Sequence, residues 1–222
     1  MPLKSIRTQK PSPALAPRRQ SYHHGNLKEA IVAAAVQLVE EGGPENVTVR
    51  EAARRAGVSS GAPFRHFPNK IALMTAVAEE GMRRFRAEIR NTLDQVETDD
   101  PLIRFRALGT AYLRWVFANP THFAVISARR LIDFAGSEAL SRDNAEIQTL
   151  IETLLLEAQR RGQIRSGDIR PIQLAARALA YGLARLQVDG HFPQLSVEPD
   201  EAAATMQTVM DEFIASLARA PS

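Results

Sequence analysis

Apolar residues recur at helical spacing along nearly the whole chain, and the interruptions divide it into about nine helices. Asn26 and Glu29 have the spacing of a capping box, and Leu27, Ala30, Ile31, Ala34, Leu38 and Val39 then hold a helical period until Gly42 and Gly43. Thr48 is placed to cap a second helix, which carries Glu51 in its first turn, buries Val49, Ala52, Ala53 and Ala56, and stops at Gly57. A third is predicted from Ser59 or Ser60 to about Phe67, with Pro68 beyond it and Pro63 about three residues inside, where its missing amide is still one of the unpaired donors. From Lys70 onward, breaks near Asp99 to Pro101, Asn119 to Pro120, Phe134 to Ser141, Gly162 to Asp168 and Gly190 to Pro199 mark about six further helices. No segment alternates with the period of a strand and no repeat is visible, so the expected fold is all-α.

The segment TVREAARRAGVSSGAPFRHF, residues 48–67, packs two short helices around a tight turn. Ala53 is small where the helices cross, Gly57 allows the turn's backbone angles, and Val58 and Phe67 plug the shared core. That is the geometry of a helix-turn-helix, whose second helix presents its N-terminal face outward to read DNA. Charge points the same way. Residues 1–70 hold 11 Lys or Arg against 5 Glu, a balance of +6, while the remainder holds 17 against 20, a balance of −3. A polyanion-binding surface therefore belongs in the first third. Residues 1–20, with Pro2, Pro11, Pro13 and Pro17 among scattered cations, read as a disordered basic arm. Arg18, Arg19, His23 and His24 are placed either to enter an adjacent minor groove or to have no role.

Residues 26–74, from NLKEAIVAAA through TVREAARRAGVSSGAPFRHFPNKIALM, resemble the DNA-binding region of the TetR family of transcription regulators. The resemblance implies an N-terminal three-helix DNA-binding domain, residues 21–69, followed by a helical-bundle effector-binding and dimerisation domain, residues 70–222. It implies a homodimer on a pseudo-palindromic double-stranded DNA operator, most often a repressor released by a small-molecule effector. It also puts Ser59, Ser60, Gly61, Ala62 and Arg65 on the groove-facing side of the reader. Arg65 reaches furthest, to a guanine edge or to a phosphate. Thr48, His66 and Lys70 fall where the family holds the DNA backbone, although Thr48 also serves as a cap and His66 also fits beside Phe67. The family commonly has tyrosine at the position of Phe64, which lacks the hydroxyl and is left to meet a thymine methyl or a sugar. Arg54 and Arg55 read as solvated charges. The YHHGNL start, the step at residues 62–64 and the YG at residues 181–182 are similar to a subgroup with a Trp and a His-Gly pair in its C-terminal domain, but Arg177 and Tyr181 stand where those Trp and His residues would fall.

In the body, Phe85, Tyr112, Trp115, Phe117, Phe123, Ile126, Phe134 and Tyr181 have spacings that suit either plain core or an apolar cavity, with His122, Arg129 and Tyr181 as candidates for holding a polar ligand group. Residues 70–96 form a long helix, tethered to the reader by Phe67, Ile71 and Leu73 and entering the body through Val77, Met82 and Phe85. The last two long helices, about 169–188 and 200–218, carry broad apolar faces, Leu174, Ala178, Leu179, Gly182, Leu183 and Leu186 on one and Met206, Val209, Met210, Phe213, Ile214 and Leu217 on the other. Such faces serve both the core and a four-helix contact with a second copy.

Other classes fare worse. The chain has no cysteine, and its 45% hydrophobic residues never run long enough to span a bilayer, so a cytoplasmic protein is expected. GVSSG at residues 57–61 matches a serine-hydrolase string, yet REAARRA before it is helical where that motif requires a strand. The five histidines lack zinc-protease spacing, and neither a metal nor a cofactor is expected. A nonspecific architectural DNA-binding protein would share the basic front end but would seldom need so large an aromatic-rich body.

Overall fold

The computed structural model describes residues 24–59, 61 and 63–218. Among the described residues eight α-helices follow one another: α1 (His24–Gly42), α2 (Val49–Arg55), α3 (Lys70–Asp94), α4 (Pro101–Ala118), α5 (Pro120–Ser127), α6 (Glu138–Arg160), α7 (Arg170–Val188) and α8 (Ala202–Leu217). Among the described residues no strand forms beyond an isolated antiparallel bridge between Ile164 and Ala218. No described helix is long and apolar enough to cross a membrane.

Local chemistry sets the helix starts. Asn69 accepts the amide of Ala72 at 2.9 Å, Asp100 accepts those of Leu102 and Ile103 at 2.9 and 3.0 Å, and Ser137 accepts that of Leu140 at 3.2 Å. Each satisfies amides that the first helical turn leaves without partners. Pro101 and Pro120 occupy first-turn positions, where proline loses nothing. α1 begins at His24, two residues before the expected cap at Asn26.

The third helix differs from expectation. Among the described residues it is a 3₁₀ turn, Pro63–Arg65, closed by the amides of His66 and Phe67 on the carbonyl of Pro63 at 3.0 and 2.8 Å. Pro63 holds the first position of this described turn, which suits its fixed φ and missing donor. Ser60 and Ala62 lie outside the described residues, as do the basic arm with Arg18, Arg19 and His23.

A shared apolar cluster joins the reader to the body. Ile31, Ala35, Val49, Ala52 and Phe67 share one buried cluster with Leu73, Met74 and Val77 of α3 and with Val125, Ile132 and Leu140 further along the chain. Ile71, expected to tether α3, is 45% exposed, and Met74 takes that part. A second cluster holds Ile89, Phe105, Leu108, Leu155, Ile172 and Ile214, and a third is formed by Leu113, Leu183, Met206 and Met210. Phe85 packs against the first and second clusters and against the Trp115–Phe123 group as well.

Candidate nucleic-acid interface and effector cavity

The reader is built on the turn between α2 and Pro63. Thr48 caps α2 by accepting the Glu51 amide at 3.2 Å. At the other end the Gly57 amide bonds to the Arg54 carbonyl at 3.1 Å and the Val58 amide to the Ala53 carbonyl at 3.1 Å, the paired closure that needs a left-handed residue at Gly57, where φ is 70°. The turn leaves Ser59, Gly61, Phe64, Arg65 and His66 on the surface, while Pro63 and Phe67 are buried. Thr48, Ser59, Gly61, Phe64, Arg65 and His66 are all exposed, Phe64 by 40%. The His66 and Phe67 rings lie 6.5 Å apart, so His66 is positioned by that contact as well as displayed. Lys70 Nζ donates to the Glu45 carbonyl at 2.6 Å, bracing the start of α3 against the loop after α1 and leaving two ammonium protons for another acceptor.

Arg54 and Arg55 differ from Arg65 in having carboxylate partners. Arg54 donates to both Glu51 oxygens at 2.9 and 2.6 Å, and Arg55 to Glu41 at 2.5 Å. These pairs hold the Glu51 and Glu41 carboxyls below their ordinary pKa. Among the described residues Arg65 makes no such pair.

A second site lies under the middle of α3. Phe85, Tyr112, Trp115, Phe123, Arg129 and Tyr181 surround one cavity of about 430 Å³, within the range of small-molecule sites. Its walls also include Met82 and Ile89 from α3, Phe105 and Leu108 from α4, Ile147 and Ile151 from α6, and Met210 and Ile214 from α8. The aromatic rings pack edge-on or tilted, Phe85 and Trp115 at 5.1 Å and Tyr112 and Phe123 at 6.5 Å. Burial raises the Tyr112 pKa, so its phenol stays a neutral donor. Arg129 stacks on Phe134 at 3.6 Å. Partial desolvation lowers the Arg129 pKa and the nearby Arg177 lowers it further, with Tyr181 opposing.

Two expectations for the cavity fail. His122 does not line it: the ring is buried between α5 and α3, against Gly81, with Nε2 3.9 Å from Glu80 and no hydrogen-bond partner among the described residues. Phe117 is 37% exposed and also stays outside the cavity. Histidine position on a helix says little about which neighbouring helix covers it. Conversely, Arg177 lines the cavity, together with Asn144, Gln148 and Gln173. Its place in the sequence drew notice only as a departure from the subgroup pattern.

Residues 31–77 match the family model described as bacterial regulatory proteins, tetR family, and residues 105–211 match the tetracyclin repressor-like C-terminal domain. The nucleoid occlusion factor SlmA of Vibrio campbellii is 30% identical over 158 residues, covering 69% of this chain and 79% of that protein. The chain belongs to the tetR family. It is a DNA-binding transcription regulator. A solved structure of a protein with unknown function from Rhodococcus sp. RHA1 superimposes on this tetR-family chain with a TM-score of 0.74 at 30% identity, over 90% of this chain and 100% of that one. The TetR family transcriptional regulator PfmR from Thermus thermophilus shares the fold, with a TM-score of 0.63 at 20% identity over 85% and 99% of the two chains.

Proposed function

We propose that the protein is a homodimeric repressor that leaves its operator when a small molecule fills the cavity beneath α3. One observation carries the reading. α3 belongs to both sites: Leu73, Met74 and Val77 near its N-terminus sit in the reader's core, and Met82, Phe85 and Ile89 further along line the cavity. A ligand that displaces the middle of α3 therefore acts on the element that supports Phe67 and the turn above it. Because α3 is continuous over 25 residues, about 37 Å of helix, it transmits tilt in preference to bending.

In this reading Ser59, Ser60, Gly61, Ala62, Phe64 and Arg65 enter the major groove, while Thr48, His66 and Lys70 hold phosphates. The cavity favours ligand control over a purely architectural DNA-binding role, which would not call for a cavity walled by aromatic rings. The test is operator affinity by fluorescence anisotropy. Arg65→Ala should weaken it about tenfold or more. A compound that binds the cavity should weaken the intact protein's affinity by about 5- to 150-fold. Unchanged DNA affinity with the cavity saturated would contradict the reading.

A further inference from the structure

The cavity has an uneven charge distribution. Its inner wall is aliphatic and aromatic, and the charged side chains lining it are two arginines, Arg129 from the turn after α5 and Arg177 from α7, with no carboxylate among the described lining residues. Several exposed arginines elsewhere have carboxylate partners, Arg54 with Glu51, Arg106 with Asp211 and Arg161 with Glu157 and Asp99, whereas neither arginine of the cavity has one among the described residues. Arg129 and Arg177 line the same cavity as Tyr112 and Tyr181, and Arg177 is near enough for its charge to disfavour that of Arg129.

Resting on the ligand-controlled reading above, we infer that the effector is an apolar organic carboxylate, its hydrophobic body among Phe85, Trp115 and Ile147 and its acid group at Arg129 and Arg177. An anion there relieves the repulsion between the two guanidiniums and gains two charge-assisted donors whose planar forks match a carboxylate. A neutral ligand leaves the repulsion in place, and a cationic one adds to it. The body of the ligand is selected by ring packing and burial, since few polar groups interrupt the inner wall.

The full chain is titrated calorimetrically with phenylhexanoate, phenylhexanamide and phenylhexylamine, which share an apolar body and differ in charge. Trp115, the single tryptophan of the sequence, lies in the cavity wall, so its emission reports occupancy independently. The acid should bind about tenfold or more tightly than the amide, the amine should bind weakest, and added salt should narrow the gap. Arg129→Gln combined with Arg177→Gln should bring acid and amide to equal affinity while the amide still perturbs Trp115 emission. Both positions are exposed, and an unchanged melting temperature checks that the variant folds. Equal affinity of acid and amide in the unsubstituted protein, an acid preference that survives both substitutions, or no binding by any of the three compounds would overturn the inference. Operator anisotropy separates the two readings. Acid binding without any effect on DNA sinks the control mechanism and leaves the ligand class standing, whereas DNA release by a neutral compound alone does the reverse.

Discussion

Two residues show how narrowly single positions are constrained. Gly57 has φ of 70°, and a Cβ built there meets nothing within 4 Å, so a substitution is resisted by backbone conformation alone. Gly57→Ala should cost about 1 kcal/mol, seen as a lower urea midpoint, with Gly57→Asn costing less because asparagine tolerates the left-handed region. His122 is 3% exposed and its pKa is lowered by burial first and by Arg84 next, against the pull of Glu80 and Glu40. The unfolded chain therefore binds a proton near pH 6.5 that the folded chain resists. Stability from this residue is complete above that pH and is lost as pH falls below it. His122→Asn should flatten the decline in unfolding free energy between about pH 6.5 and 5, by at most about 1.4 kcal/mol per pH unit. An unaltered slope would place the acid sensitivity elsewhere.

Among the elements, α3 is the one on which both sites depend, and its contact with α5 is set by Gly81. A Cβ there would meet His122 Cβ at 2.8 Å, an atom fixed by the α5 backbone, so the helices must move apart to admit it. Gly81→Ala should cost about 1–3 kcal/mol in chemical unfolding. The ends of the elements are legible in the sequence because their determinants are local: Thr48 and Gly57 bound α2, and Asp100 with Pro101 opens α4. The described turn at Pro63–Arg65 is less legible, because the serines before it are good caps in isolation and proline suits any position of a first helical turn. The cavity is legible only as a set of aromatics. Arg129 and Arg177 lie far apart in the chain and reach one cavity through tertiary packing, and His122 has the same helical register as residues that do line the space.

For the whole molecule, α7 presents three differently used faces. Gln173, Ala176, Arg177, Ala180 and Tyr181 look into the cavity, and Ile172 and Leu183 enter the core. A third strip carries Leu174, 69% exposed, with Ala178 and Gly182, where a Cβ would meet open space. An apolar strip of small side chains around one projecting leucine suits close packing against the same helix of a second copy. On the proposed homodimer, Leu174→Glu should leave a monomer by light scattering and weaken operator binding strongly, since in that reading each reader alone grips only half a site. The monomer variant should keep its helical circular dichroism.

The most direct test of the account is selection of the purified protein on random duplex DNA at near-physiological salt. A dimeric, sequence-specific regulator should enrich a pseudo-palindrome with half-sites about one helical turn apart, roughly 34–36 Å, and lose that enrichment in Arg65→Ala. A folded protein that enriches no sequence would contradict that reading.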